Sequence, residues 1–275
     1  MPASFTVAIP THNRRDTVVL ALQSALEQTR PAVQVIVLCD GCRDGTQRAV
    51  AALGDRRVEV IDLPKGPGYA YAHRTRALER ARGEAIVWLG DDDLLLPDHL
   101  EDIGALWDTH RVDLVQTYAV LVAPDDTVEW LGADWSVPHY RAIVLDVENT
   151  TPMGAVCVGV RAARDAGGWD GTLDGRADWD LWKRMLRAGA RTLSTDSATL
   201  LHFRASGRTQ PWPERVAQNR SWLERIRNPA QLKAMRAQIA HLRAEREGDY
   251  DSRIRGLWAE NQYLHKLAAE AGLTA

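Results

Sequence analysis

The 275-residue chain lacks several features that would have classified it at once. It has three cysteines, Cys39, Cys42 and Cys157, which cannot all pair; Cys39 and Cys42 form one C-x-x-C with no second pair nearby, which excludes a four-sulfur zinc site. No apolar run approaches the ~18 residues of a membrane span. Neither sign of charge dominates, with 34 Lys and Arg against 37 Asp and Glu and a net charge of −3. No global basic field therefore draws the chain onto nucleic acid. The first strand-like run leads into Pro10-Thr-His-Asn-Arg-Arg15, which contains no glycine. The glycine fingerprint of a dinucleotide site is thus missing, there is no P-loop, and a nicotinamide dehydrogenase is disfavoured. The N-terminus opens directly into that run, so no signal peptide or twin-arginine leader is expected. These absences point to a cytoplasmic, reduced protein, with peripheral attachment to a membrane as the alternative.

What is present alternates in the manner of an α/β fold. Phe5–Ile9, Val33–Leu38, Val58–Leu63 and Ala85–Leu89 read as strands, the second a near-continuous apolar run suited to burial on both faces. Helical spacing follows each of them: over 14–27, to about Leu53, over 69–82, and from Pro97 to about Thr109. That order calls for a mostly parallel, right-handed wound sheet with flanking helices. The second half is less regular, with a strand over 112–123 and helices over 161–167 and Asp178–Ala188. After Pro211 and Pro213 the chain reads as helix throughout, so the expected division is 1–210 (halves 1–110 and 111–210) and a helical extension over 211–275. Within the extension, Ile254, Leu257, Asn261, Leu264 and Ala268 keep an a/d spacing, and Leu232, Met235, Ile239 and Leu242 form a similar stripe. Each stripe suits either a homodimer through these helices or packing on the globular body.

In an open parallel sheet the ligand sits beyond the carboxyl ends of the strands. Those ends carry Thr11-His12-Asn13, Asp40, and Asp91-Asp92-Asp93. Three adjacent carboxylates at a strand end repel one another, and a hard divalent cation, Mn2+ or Mg2+, relieves this while bridging phosphate oxygens. The plain alternative is a solvated acidic turn ahead of the helix at Pro97. Lys65-Gly-Pro-Gly68, with His73 and Arg74 on the next helix, is a second candidate for the phosphate side, and Arg74 the better of its two later residues. Ten Trp stand beside two Phe, and indoles suit sugar rings as well as cores. Trp130, Trp135, Trp169 and Trp179 therefore suggest an acceptor groove, with core packing as the alternative for Trp169 and Trp182.

Ile9-Pro-Thr-His-Asn-Arg14, then Val35 through Thr46 with Cys39-Asp40-Gly41-Cys42, then Ala81 through Asp93 with Pro97, resemble inverting family 2 glycosyltransferases of the GT-A fold. Gly167-Gly-Trp-Asp170 followed by Ala177-Asp-Trp-Asp-Leu181 resembles the same family's acceptor-side segment, and the likeness covers about residues 4–205. The resemblance implies a GT-A, nucleotide-diphospho-sugar transferase sheet. It also implies a metal-dependent enzyme that moves a sugar from a nucleotide-diphosphate donor to an acceptor in a glycan, a lipid-linked sugar or a small natural product. Pro10, Thr11, Asn13 and Asp40 would line the donor pocket. Asp92 would be the main metal ligand, with Asp93 supporting it and Asp91 turned to the ribose or to the metal. Asp178 would be the catalytic base, and Arg74 would face the diphosphate. His202 and Arg204 lie in the segment that closes over it, as metal and phosphate contacts. Three positions depart from the family pattern: Cys39 and Gly90 replace carboxylates, and Ala177 replaces the Glu before the base. A nucleotidyltransferase on a similar sheet, or a non-catalytic nucleotide-sugar scaffold, are the competing readings.

Overall fold

A computed structural model describes residues 2–149, 151–203 and 210–244. In chain order the elements are β1 (Phe5–Thr11), α1 (Arg15–Leu26), β2 (Gln34–Asp40), α2 (Thr46–Ala51), β3 (Val58–Leu63), α3 (Tyr71–Arg80), β4 (Ala85–Trp88), β5 (Leu94–Leu95) and α4 (His99–Thr109). There follow β6 (Leu114–Val122), β7 (Val128–Leu131), α5 (Pro138–Asp146), β8 (Val156–Gly159), α6 (Val160–Asp165), α7 (Ala177–Arg187), β9 (Thr192–Phe203) and α8 (Trp212–Arg227). A further helical stretch covers 229–244.

One sheet carries the order β3-β2-β1-β4-β8-β6-β9-β5, with β7 on β6. Its first four strands are all parallel, each pair joined through a helix. Every residue of β2 and β4 is buried, which explains their unbroken apolar composition. The second half adds β8 antiparallel to both β4 and β6, and β7 antiparallel to β6. The whole is therefore a mixed sheet with a parallel core. Among its antiparallel pairs, β6 and β7 are joined by a short turn, Ala123–Thr127 around Asp125, with no crossover helix.

Pro10 does not end β1 as the sequence suggests; it pairs with Leu38 and the strand runs on to Thr11. The ladder between β1 and β4 stops at Ala8 opposite Trp88. Pro10 faces the same side as Ala8, where β4 has already diverged, so its missing N–H costs no bond.

Two apolar layers cover the sheet. Val18, Ala21, Leu22 and Ala25 of α1 pack with Val7, Ile9, Val35 and Val37 on one face. Leu181, Trp182, Met185 and Leu186 of α7 join Ile36, Ile86, Trp135 and Trp169 on the other. The helical reading of 214–275 needs correction at Asn228, whose backbone is extended. Its side-chain oxygen accepts the N–H groups of Ala230 and Gln231 and so caps a new helix. Trp222, Leu223, Ile226, Met235 and Ile239, with Leu232 at the margin, pack on β5, β6 and β9, so this stripe covers the body. The second stripe, Ile254 to Ala268, lies outside the described residues. No described helix is long and apolar enough to cross a membrane.

Candidate active site

The parallel topology sends the carboxyl ends of β1, β2 and β4 to one edge, and the polar residues that follow them line a cleft of about 350 Å³. Pro10, Thr11, His12, Arg14, Asp40, Lys65, Arg74 and Asp91 are among its walls. Asn13 lies in an adjoining recess with His12, Gly41, Cys42 and Lys65.

On the β2 side, Asp40 is buried and fully engaged. Lys65 Nζ donates to its carboxylate at 2.6 Å, as does the Gly66 N–H at 2.6 Å, and His73 Nε2 lies 3.5 Å away. Lys65 also donates to the carbonyls of Gly66 and Gly68, so its ammonium ties the 65–68 loop over the strand end. The chain turns there at Gly41, where φ is +63° and a Cβ would lie 2.7 Å from the Lys65 backbone; only glycine tolerates both.

At the tip of β4 the three aspartates part company. Asp91 accepts from Arg14 at 2.8 Å, and Asp92 lies 3.5 Å from the same guanidinium. Asp93 faces His202, whose Nδ1 is 3.0 Å from its carboxylate, and accepts the Phe203 N–H at 3.1 Å. Burial raises the Asp91 and Asp92 carboxyls, and neighbouring Asp93 and Asp91 help to push Asp92 up to about 7. For His202 burial acts against the charged ring, but the Asp93 carboxylate outweighs it and raises the imidazole. A Cβ at Gly90 would come within 2.7 Å of Asp93 Oδ2. The carboxylate of Asp93 thus occupies the space beside the position where the family pattern has its first acid.

Across the cleft, Arg74 lies over the rings of Trp169 and Tyr71, at 4.7 and 4.9 Å, and donates to Met153 Sδ at 2.7 Å. Its charge acts on both Asp91 and Asp178. Burial lowers its guanidinium, without threatening a group that proteins do not deprotonate. Asp178 opens α7 after Arg176, which has a left-handed backbone with φ of 55°. Burial raises its carboxyl, Arg74 opposes this, and Asn149 Nδ2 approaches at 3.5 Å. Asp180 instead pairs with Arg184 on its own helix at 2.7 Å.

The acceptor-groove reading of the tryptophans is overturned. Trp130, Trp135, Trp169 and Trp179 are all buried, and Trp135 packs on Trp182 with centroids 5.3 Å apart. Only Val33, Tyr69 and Trp212 are exposed large hydrophobics among the described residues. Arg204 lies outside the described residues. Arg14 is a site residue that motif reading passed over, and Lys65, read there only as part of a phosphate-side turn, pairs instead with Asp40. Arg14 sits inside the first quoted motif, and Lys65 heads the Lys65-Gly-Pro-Gly68 turn; charge on a strand-end loop was the available signal.

Residues 6–165, more than half of the chain, match the sequence profile of Glycosyl transferase family 2. The chain belongs to that family. Relatives include the succinoglycan biosynthesis protein ExoO of Rhizobium meliloti, 40% identical over 97 residues, 34% of this chain and 27% of that one. The putative teichuronic acid biosynthesis glycosyltransferase TuaG of Bacillus subtilis is 35% identical over 98 residues, 35% of this chain and 38% of that one. The match thus spans well under half the length of either relative. Among solved structures, S. aureus TarS 1–349 in complex with UDP-GlcNAc superposes with a TM-score of 0.61 and 20% identity, over 81% of this chain and 70% of that one. The family 2 chain therefore shares the GT-A fold.

Whether this edge suits a divalent cation is a question of donor chemistry. Among the described residues no three His, Cys, Asp or Glu side chains converge closely enough to hold an ion unaided. Asp92 and Asp93 offer hard oxygen donors in an acid-rich tip, however. Magnesium is commonly held by one or two carboxylates, with phosphate oxygens and water completing its shell. The residues fit a cation that shares its ligands with a diphosphate.

Proposed function

We propose that this chain is an inverting glycosyltransferase that moves a sugar from a nucleotide-diphosphate donor to an acceptor hydroxyl, with Mn2+ or Mg2+ as cofactor. The observation that carries the reading is the cleft wall shared by Arg74 and Asp91, in which the guanidinium is held over the Trp169 and Tyr71 rings and favours the ionised form of Asp178. A fixed cation between an acidic strand end and a second, partly buried carboxylate is what a reaction needs when it expels a diphosphate and deprotonates an attacking hydroxyl.

Breaking the bond from anomeric carbon to diphosphate leaves negative charge on the departing oxygen. Arg74, preorganised by Trp169 and Tyr71, stabilises charge developing on that side. Asp92 and Asp93, with His202 beside them, would hold the cation, which when bound supplies Lewis-acid stabilisation of the leaving group. Asp178 accepts the proton from the acceptor hydroxyl. Burial raises its carboxyl, which makes it a stronger base than a solvated aspartate, and the Arg74 charge opposes that rise. A single base acting opposite the leaving group inverts the anomeric carbon. Asp40 and its Lys65-bound loop form the wall that receives the nucleoside end of the donor.

Several relatives support a carbohydrate acceptor in cell-surface polymer synthesis. One is named UDP-Glc:alpha-D-GlcNAc-diphosphoundecaprenol beta-1,3-glucosyltransferase WfgD of Escherichia coli, 29% identical over 96 residues. Thermal-shift measurements with UDP, GDP, dTDP and CDP, each with manganese, test the donor reading, because a ligand bound only to the native state raises its stability. Donor hydrolysis measured with and without manganese then tests catalysis. A chain stabilised by no nucleotide, or one releasing no sugar from any donor, would overturn the proposal.

A further inference from the structure

Arg14 stands where the acidic tip needs a positive charge. Its carbonyl accepts the Val18 N–H at the opening of α1, and its guanidinium reaches Asp91 at 2.8 Å and Asp92 at 3.5 Å. Another face of the guanidinium lies over the ring of Trp212, 4.9 Å from its centroid, at the first residue of α8. The other cations of the cleft are committed differently. Lys65 is taken up by Asp40 and by two loop carbonyls, and Arg74 lies over the Tyr71 and Trp169 rings and is bonded to Met153. The Arg14 side chain keeps 43% of its surface exposed, so it can leave its partners without opening the core.

We propose, on the footing of the function argued above, that Arg14, anchored on Asp91, is a resident counter-ion competing with the divalent cation for Asp92, so that cation and diphosphate enter the site together. A guanidinium hydrogen-bonded to Asp91 and in ion contact with Asp92 must give up part of that charge pairing before another cation can take Asp92. The donor-free chain therefore holds the cation weakly. A diphosphate changes the balance, because it brings anionic oxygens to the same rim and gives the displaced guanidinium a planar, bidentate partner. The two ligands then favour each other by the same factor, as linkage requires.

The test uses the full chain, with manganese alone and manganese with inorganic pyrophosphate as probes, and free Mn2+ followed by its paramagnetic resonance signal. Without pyrophosphate, Arg14→Gln should bind Mn2+ about tenfold tighter than the parent, within the usual range of site-to-site coupling, and Arg14→Lys should resemble the parent. Pyrophosphate should tighten Mn2+ binding strongly in the parent and much less in Arg14→Gln. Parental or weaker Mn2+ affinity in an Arg14→Gln protein with an unchanged melting temperature overturns the inference. Asp92→Asn separates the two claims. If it keeps parental Mn2+ binding, the acidic tip is not the cation site and the functional reading loses its cofactor. If it loses Mn2+ while Arg14→Gln gains nothing, the cation site stands and only the role of Arg14 falls.

Discussion

The two halves of the sheet place their candidate site residues by different means. The first contributes Thr11, Asp40 and Asp91 from the ends of three parallel strands, each a few residues after an apolar run. The second contributes Asp178 and His202 through a helix start and the end of a 12-residue strand, which pairs parallel with β6 and antiparallel with β5. In the first half, position in the sequence translates almost directly into position at the site. In the second, a residue arrives only because a hydrophobic face elsewhere has docked.

Substitutions on either side of the cleft should separate these contributions, and the largest effects are expected at the carboxylates. Asp178→Asn should lower turnover by roughly 10²–10⁴-fold, the usual worth of a general base, while nucleotide binding by thermal shift is retained. Asp92→Asn should abolish transfer and also weaken manganese-dependent nucleotide binding. Near-normal turnover in Asp178→Asn would remove it from the role of base and leave the second half a purely structural partner.

Packing comes next. Trp182 of α7 is 2% exposed and packs against Trp135 at a tilt, so Trp182→Ala should cost about 3–5 kcal/mol by chemical denaturation. Transfer should fall with it, since the same face seats Asp178. A comparable loss of stability with intact turnover would show that Asp178 is positioned independently of the aromatic layer.

Arg74 joins the halves, and its removal predicts a pH effect. Its charge favours ionised Asp178 against burial, so Arg74→Gln should raise that carboxyl further. The acid limb of the turnover profile should then move to higher pH; an unmoved limb would break the link between the two sides of the cleft.

A smaller effect concerns stability alone. His99, on α4 against β9, is fully buried with Nδ1 2.8 Å from Thr199 Oγ1, and burial pushes its imidazole from 6.5 down to about 3. The unfolded chain then binds the additional proton between those values. The contribution of neutral His99 is complete above about 6.5 and is lost as pH falls towards 3, with a limiting slope of about 1.4 kcal/mol per pH unit. Denaturation midpoints at pH 7.5 and 5.5 should differ less in His99→Gln than in the parent. Least of all, Arg227→Ala removes an exposed ion pair with Glu27 and should change stability by under about 1 kcal/mol, with transfer unaltered.

The legibility of the site follows the same division. β2 and β4 announced themselves because burial on both faces demands unbroken apolar runs, and the acids behind them were visible at once. β9 showed only its Thr199–Leu201 end, because Thr192 through Ala198 alternates small polar residues that carry no apolar signature. The tryptophans misled in the opposite sense: composition shows that an indole is present, but not whether its face meets a sugar or another ring. Arg14 and Lys65 were in view as charges, yet nothing in their spacing said which carboxylate each would find.

By itself the sequence determined the parallel core, the family motifs and the acidic strand end, because these depend on short-range burial patterns and on residues a few positions apart. Only the tertiary structure decided that Arg14 binds Asp91, that Lys65 closes over Asp40, and that Arg74 acts on both the acidic tip and Asp178. The first two pairs are 77 and 25 residues apart along the chain, and Arg74 lies 17 residues from Asp91 and 104 from Asp178. Contacts at such separations are fixed by how the layers pack, and no local pattern records them.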